Sequence, residues 1–328
     1  MTTAIVFLSV LFPVKGWFGP DQPWNVTVKP PTGATVRLVL TDFSGSALDP
    51  APAEKVEFDK QSVADIKKLY PAMNLAGTYL LYAVPKGQDD ISRFVGTPLV
   101  FTVREDHRRG APSGPMVTRV EPLRYAIIST DAGDMTVAFY YGVAPNTVAN
   151  FISLATERFY DDLTFHRVEP NFIIQGGDPR GDGTGGPGYN IDAEFSDRKQ
   201  EKGVISMSRD VDPNESPNNP PRSEYANSGG SQFFISLDDT PERKSTAQLE
   251  GAYTVFGKVV GDDGIKTLDT LAVAKIADTK TARPLHPPVI KKIEVHPVTS
   301  RENPYRILLA PVKAEIQVEK PKDVAKGK

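Results

Sequence analysis

Proline interrupts this 328-residue chain 29 times. A proline fixes its own φ, offers no N–H and disfavours helix in the residue before it. A chain punctuated this densely is therefore confined to short helices, strands and many turns. Residues 1–103 follow the restriction closely. Short runs rich in Val, Thr, Leu and aromatics, at Trp24–Lys29, Thr35–Leu40, Thr78–Val84 and Leu99–Val103, alternate with Pro, Gly, Asp and Asn clusters such as Pro30-Pro31-Thr32-Gly33. The pattern predicts a small β-sandwich. Only Ser62–Leu69 reads as helix or loop. Ala4–Phe12 is apolar but lacks the basic leader and small-residue cleavage site of a secretory signal, so a first strand is expected there.

GTYLLYAV (77–84) followed by TPLVFTV (97–103) resembles the last two strands of an immunoglobulin-like module, which points toward an extracytoplasmic location without fixing it. Residues 104–122, with REDHRRGAPSGP at their start, read as a linker. A second domain is expected over 123–297. YAIIST, the turn DAGD and MTVAFY form a hairpin. Pro145–Phe159 places Val148, Phe151, Ile152, Ala155 and Phe159 on one helical face. Strands are expected at Thr164–Val168, Phe172–Gln175, Val204–Met207, Gln232–Ile235, Val255–Val260 and Val289–Val295, with a shorter helix at Gly264–Leu271. The fold class is therefore mainly β, the second domain being a closed antiparallel barrel capped by two helices. The tail, 298–328, ends in EKPKDVAKGK and is expected to be partly disordered.

Several functions are disfavoured. The net charge of −3 gives no general attraction to nucleic acid. No run reaches the ~18–20 apolar residues of a membrane span. The absence of cysteine removes disulfides, thiolate catalysis and cysteine-zinc sites. His107, His166, His286 and His296 have no metal-ligand spacing, so no metal is expected. Gly183-Thr-Gly185-Gly-Pro-Gly188 matches GxGxxG, yet no strand precedes it and no helix follows, so no dinucleotide or other cofactor is expected. Asn25-Val-Thr27 is a glycosylation sequon only in a secretory eukaryotic host.

One arginine stands out. In FHRVEPNFIIQGGD (165–178) a permanent cation, Arg167, sits in an apolar, strand-like segment. It is either an ion-pair partner, with Glu169 on the same strand face or with Glu194, or it is aimed at a ligand. The segment is followed in order by GDGTGGPGY, EF at 194–195, GVISMS at 203–208, GSQFFI at 230–235 and YTVFGKVV at 253–260. Together with APNTVANFISLATERFYDDLTFHRV and RPLHPPVIKKIEV, this ordered set resembles the cyclophilins, peptidyl-prolyl cis–trans isomerases with an eight-stranded barrel. The resemblance spans about residues 123–297.

By that resemblance Arg167 is the catalytic arginine, beside Phe172 and Gln175, with Gln175 hydrogen-bonding the substrate backbone. Phe172, Ile173, Phe234 and Leu249 would wall the proline pocket, although Phe172 and Phe234 alone could equally be core. Gln232 and Gly183 would line the adjoining groove, and Ser208 and Arg209 would begin it. Tyr253 falls where many members carry histidine, and Ile173 where methionine is frequent. Gln248 stands where eukaryotic members often have tryptophan, which implies weak binding of cyclosporin. SRDVDPNESPNNPPRSEYANS, after Met207, is roughly a dozen residues longer than the family's usual connection and is expected to be an exposed loop. The implied partners are proline-containing polypeptides, with no nucleic acid.

The chemistry suits an arginine. An X-Pro bond crosses a barrier of about 18–20 kcal/mol because the nitrogen lone pair is shared with the carbonyl. Twisting ends the sharing, and the nitrogen becomes a hydrogen-bond acceptor at the transition state only. A rigid, always-protonated fork of N–H groups serves that purpose without proton transfer, metal or covalent intermediate. The same groove could instead capture proline segments as a catalytically weak binding module.

Overall fold

The computed structural model describes residues 9–51, 56–88, 90–105, 114–216, 219–238 and 246–308. The first strands are β1 (Leu11–Pro13), β2 (Asn25–Val28), β3 (Val36–Asp42), β4 (Ala47–Leu48), β5 (Glu57–Phe58) and β6 (Ser62–Asp65). A single turn, α1 (Ile66–Leu69), separates them from β7 (Gly77–Pro85), β8 (Leu99–Glu105) and β9 (Pro115–Pro122). They form a three-stranded sheet, β1-β2-β6, and a six-stranded one, β4-β3-β7-β8-β9 with β5 on β3. All of their pairings are antiparallel. One apolar core joins the two sheets. It contains Phe18, Trp24, Tyr70 and Phe101 together with Val26, Leu38, Leu40, Leu81 and Ala83.

Ser62–Leu69 is thus half strand and half helical turn. Pro115–Pro122, in the stretch expected to be linker, is a full strand paired with β8: Val117 and Val120, three residues apart but separated by a register shift in that pairing, both reach the core. The remainder of that stretch, 106–113, lies outside the described residues, as do 1–8 and the terminal EKPKDVAKGK.

The larger sheet is buried on both faces. Leu38, Leu40, Leu81 and Phe101 point into the core just described, whereas Val39, Leu80, Tyr82, Val84 and Val100 join a second core with Leu123, Tyr141, Val298 and Tyr305. Successive strand residues face opposite sides, so a strand covered on both reads as the unbroken apolar run GTYLLYAV.

The rest of the chain builds β10 (Arg124–Thr130), β11 (Asp134–Phe139), α2 (Pro145–Thr156), β12 (Leu163–Thr164), β13 (Arg167–Glu169), β14 (Ile173–Gly176) and β15 (Val204–Met207). Then come α3 (Ser223–Ala226), β16 (Phe233–Ser236), β17 (Thr254–Val260), α4 (Asp262–Ala272), β18 (Ile276–Asp278), β19 (Arg283–Pro284), β20 (Val289–Pro297) and α5 (Tyr305–Leu308). Nine of these strands form one curled antiparallel sheet, ordered β12-β20-β10-β11-β17-β15-β16-β14-β13. The closed eight-stranded barrel expected from sequence is corrected here. The ladder has nine strands and remains open between β12 and β13. The chain itself bridges that gap: it leaves β12, crosses at Phe165-His166 and becomes the opposite edge. Phe165 explains the break, because it turns into the core with its ring on Phe233 at 6.2 Å.

Helix α2 packs Phe151 against Phe139, Tyr160, Phe233 and Phe256 at centroid distances of 5.0–5.8 Å. Pro145 lies in its first turn. Glu194 accepts hydrogen bonds from the amides of Asn146 (3.2 Å) and Thr147 (2.8 Å), so a distant carboxylate caps this helix. Helix α4 begins with Asp262 and Asp263, which complement its dipole.

Candidate active site

Strand register explains how a cation comes to lie in so apolar a segment. Arg167 on β13 pairs with Gln175 on β14, and Gln175 with Phe234 on β16. One residue on, Val168 pairs with Ile174, Ile174 with Ile235 and Ile235 with Ile205 of β15. Cross-strand partners share a face and neighbours alternate. The row Val168–Ile174–Ile235–Ile205 therefore enters the core, and the row Arg167–Gln175–Phe234 faces outward. A neighbouring outward row carries Glu169 and Ile173.

The outward face forms the floor of a cleft of about 800 Å³. Arg167, Phe172, Ile173, Gln175, Gly183, Ser208, Arg209, Gln232, Phe234, Leu249 and Tyr253 all line it. Every site residue expected from the sequence is thus brought together in one place. Gln248 and His166 do not line it.

Arg167 is held on one side by Glu169. Its Nε donates to Glu169 Oε1 at 2.9 Å, and its Nη2 pairs with the same oxygen. Its Nη1 donates to Gln175 Oε1 at 3.2 Å. Of the five guanidinium N–H groups, two are left without a partner among the described residues. Of the two carboxylates considered as partners, Glu169 takes the role, while Glu194 is committed to α2. The ion pair and the ligand-facing role are compatible, because the pair consumes one edge of the fork.

A polar relay runs on from this arginine. Since Gln175 Oε1 faces a guanidinium, which only donates, its Nε2 must face the other way. It donates to Ser208 Oγ (3.2 Å) and to Gln232 Oε1 (3.0 Å). Gln232 Nε2 in turn donates to the carbonyls of Gly183 (3.0 Å) and Gly185 (2.8 Å). That glycine loop is fastened from beneath by Asp178, which is buried and accepts from the amides of Arg180, Asp182 and Gly183. With both amide protons engaged, Gln175 retains only carbonyl lone-pair capacity for a ligand N–H.

The apolar end is equally defined. Phe234 and Ile173 are buried, and Tyr253 meets Phe234 edge-on at 5.3 Å. The Arg209 guanidinium lies over the Tyr253 ring at 4.4 Å. It also donates to the carbonyls of Ala252 (2.9 Å) and Asp210 (2.8 Å) and approaches Glu215 at 2.8 Å. Burial pushes the Tyr253 hydroxyl above its ordinary value, so it stays neutral. His166 is buried, its Nδ1 has no hydrogen-bond partner among the described residues, and burial pushes its imidazole down.

The long connection after Met207 departs from the plain exposed loop expected. Its Asp212 is buried and accepts two bonds from the Arg222 guanidinium, at 2.9 and 3.0 Å, plus the amides of Asn214 and Arg222. Arg222 holds that carboxyl well below the usual carboxylate range. Asp178, Tyr189 and Val211 are further residues that sequence reasoning did not single out, although the aspartate of GGD and the tyrosine of GDGTGGPGY lay within quoted motifs; Val211 carried no signal.

The profile of the family described as "Cyclophilin type peptidyl-prolyl cis-trans isomerase/CLD" matches residues 125–295. A peptidyl-prolyl cis-trans isomerase of Synechococcus elongatus is 41% identical over 146 residues, covering 44% of this chain and 87% of that protein. Peptidyl-prolyl cis-trans isomerase B of Streptomyces anulatus is 37% identical over 190 residues, covering 52% and 95%. A crystal structure of a Cryptosporidium parvum cyclophilin type peptidyl-prolyl cis-trans isomerase, in the presence of the dipeptide Ala-Pro, is 32% identical and covers 53% of this chain and 99% of that one, with a TM-score of 0.44. The profile match spans more than half of the chain and contains the whole cleft, and on that ground the protein belongs to the cyclophilin-type peptidyl-prolyl cis-trans isomerases.

Proposed function

We propose that this isomerase acts on X-Pro bonds of polypeptides and assists their folding, with Arg167 as the catalytic donor. The observation that carries the reading is the arginine beside the apolar wall, its fork fixed by Glu169 and Gln175 and two N–H groups left over. The proline ring enters between Phe172, Ile173, Phe234 and Leu249. Arg167 donates to the prolyl nitrogen as the amide twists, which stabilises the transition state over either ground state. A charged hydrogen bond supplies roughly 1.5–3 kcal/mol, or about one to two powers of ten in rate. The apolar wall contributes the rest by fixing the ring and excluding water. Gln175, through its carbonyl oxygen, holds the substrate backbone, and Ser208, Arg209, Gly183, Gln232 and Tyr253 border the path of the flanking chain. Gln248 in place of an aromatic residue leaves cyclosporin binding weak.

The division into an immunoglobulin-like sandwich, an isomerase domain and a tail belongs to the same reading. The sandwich supports the isomerase domain and offers polypeptide clients a second surface.

The test is cis–trans exchange of an Ala-Pro peptide followed by NMR, with the native chain and with Arg167→Ala. Accelerated exchange that the variant loses supports the mechanism. Binding without acceleration in the native chain makes the groove a proline-peptide-binding module instead.

A further inference from the structure

One carboxylate of the long connection reaches back to the wall of the cleft. The Arg209 side chain is only 2% exposed, so its guanidinium is spent inside the protein. Its Nε donates to the Ala252 carbonyl at 2.9 Å and its Nη1 to the Asp210 carbonyl at 2.8 Å. Its Nη2 meets Glu215 Oε2 at 2.8 Å. Both atoms are buried and neither has a hydrogen-bond partner among the described residues, so charge rather than a directed bond joins them. Carbonyls satisfy N–H groups but leave the cation uncompensated, and a buried charge without a counter-ion is strongly unfavourable. Among the described residues, Glu215 is the ion-pair partner of Arg209. The turn that presents Glu215 is itself pinned. The Glu215 amide donates to the Asp212 carbonyl at 3.1 Å, and Ser216 and Asn219 exchange backbone hydrogen bonds at 2.9 Å. The Asp212 carboxylate is gripped by Arg222. On its other side Arg209 leads into the proline pocket. Its guanidinium lies over the Tyr253 ring at 4.4 Å, and Tyr253 meets the buried Phe234 ring edge-to-face at 5.3 Å. A cation held over one ring and an edge-to-face contact with the next fix the tilt of both.

We infer that Glu215 is a positioning residue for the isomerisation: by holding Arg209 over Tyr253 it sets the Phe234 wall against which the proline ring is fixed. The inference rests on the cleft being the site of prolyl isomerisation. It makes the connection after β15 a brace of the cleft. A loosened wall still admits the proline ring but no longer fixes it against Arg167, so the loss falls on kcat more than on KM.

The experiment uses the full chain with Glu215→Gln, Glu215→Asp, Arg209→Met and the Arg209→Met, Glu215→Gln double variant. Exchange of an Ala-Pro peptide gives kcat and KM, and the Tyr253 resonance is followed by fluorine NMR in fluorotyrosine-labelled chains. Glu201→Gln, which breaks the exposed pair with Lys258, is the control and should match the native chain. Glu215→Gln should lower kcat about 5- to 20-fold, keep KM within twofold and displace the Tyr253 resonance. Glu215→Asp keeps the charge but draws it back; it should lower kcat at least threefold, and it serves if the Gln variant does not fold. With Arg209→Met already present, Glu215→Gln should cost less than a further twofold, because the carboxylate acts through that arginine. The inference is overturned if the folded Glu215 variants keep kcat within twofold of native. It is overturned equally if kcat falls while the Tyr253 resonance stays in place, or if the cost of Glu215→Gln persists in the Arg209→Met background. If the native chain does not speed exchange, yet Glu215→Gln still displaces Tyr253 only when Arg209 is present, the brace stands and the isomerase mechanism falls.

Discussion

Gly185→Ala tests whether the glycine loop governs the arginine. A Cβ added at Gly185 would lie 2.0 Å from Asp178 Oδ1, 3.0 Å from the Arg180 nitrogen and 3.1 Å from Arg180 Cγ. Asp178 is 1% exposed and fixed by the amides of Arg180, Asp182 and Gly183, so it cannot give way. The loop must move instead, by about 1.4 Å to restore ordinary contact. That is enough to break the 2.8 Å bond from Gln232 Nε2 to the Gly185 carbonyl. Once Gln232 is loosened, Gln175 Nε2 loses a partner and the support of Arg167 Nη1 weakens with it. Overpacking of this kind costs about 1–3 kcal/mol of stability. Displacement of about 1 Å at a positioned group can cost up to roughly a hundredfold in rate. A loss of about 10- to 100-fold in kcat/KM on an Ala-Pro peptide is therefore expected, together with a lower urea midpoint. Gly186→Ala is the control, because nothing lies within 4 Å of its added Cβ. Exchange within twofold of native in Gly185→Ala would refute the relay.

Other outcomes follow from the same geometry. His166 is buried and its imidazole pushed below the ordinary 6.5, in the presence of Asp178, Asp182, Arg167 and Arg283. The unfolded chain therefore takes up a proton that the fold resists. Its contribution to stability is complete above about pH 6.5 and falls as pH drops toward the folded value. Urea midpoints measured from pH 7 to 5.5 should fall less steeply in His166→Gln than in the native chain, and equal slopes would exclude this histidine. Peptide exchange should be flat from about pH 6 to 9, because arginine stays protonated and no proton moves; a bell-shaped profile would require a titrating catalyst. Tyr305→Phe should cost about 1–3 kcal/mol in chemical unfolding. Its hydroxyl donates to the Arg124 carbonyl at 2.8 Å and accepts from the Phe139 amide at 3.0 Å in a fully buried position. A change below about 0.5 kcal/mol would mean water replaces it.

The legible parts of the sequence were those where one local rule acts alone. Val204–Met207 was read residue for residue, and Pro145 marked the start of α2, because periodicity and proline geometry are short-range. The cleft residues were legible through an ordered motif set, not through physics, since no spacing rule brings Leu249 beside Phe172. What stayed hidden depends on distant partners. Thr164–Val168 read as a single strand because nothing local announces that Phe165 turns inward and moves the chain from one sheet edge to the other. GTYLLYAV signalled a strand, but not that its second face would be covered by residues as distant as Tyr141, Val298 and Tyr305. Glu194 was a plausible partner for Arg167 until the fold carried it to α2. Val211 looked like loop because its setting is created by Asp212 and Arg222, which are ten residues apart in sequence.

The doubly covered sheet has a consequence for synthesis. Strands β3, β7 and β8 can pair as soon as residue 105 has left the ribosome, and one of their faces then has its core. Leu80, Tyr82, Val84 and Val100 on the other face await Tyr141, Val298 and Tyr305. During that interval the nascent chain displays a flat, apolar β surface, the kind of surface that recruits holdases and seeds aggregation. Strand β20 is needed too, since it joins β12 to β10. An isomerase of this design is thus itself a late-maturing client: the sheet that carries its cleft is completed only after Pro297, the last residue of β20, has been made.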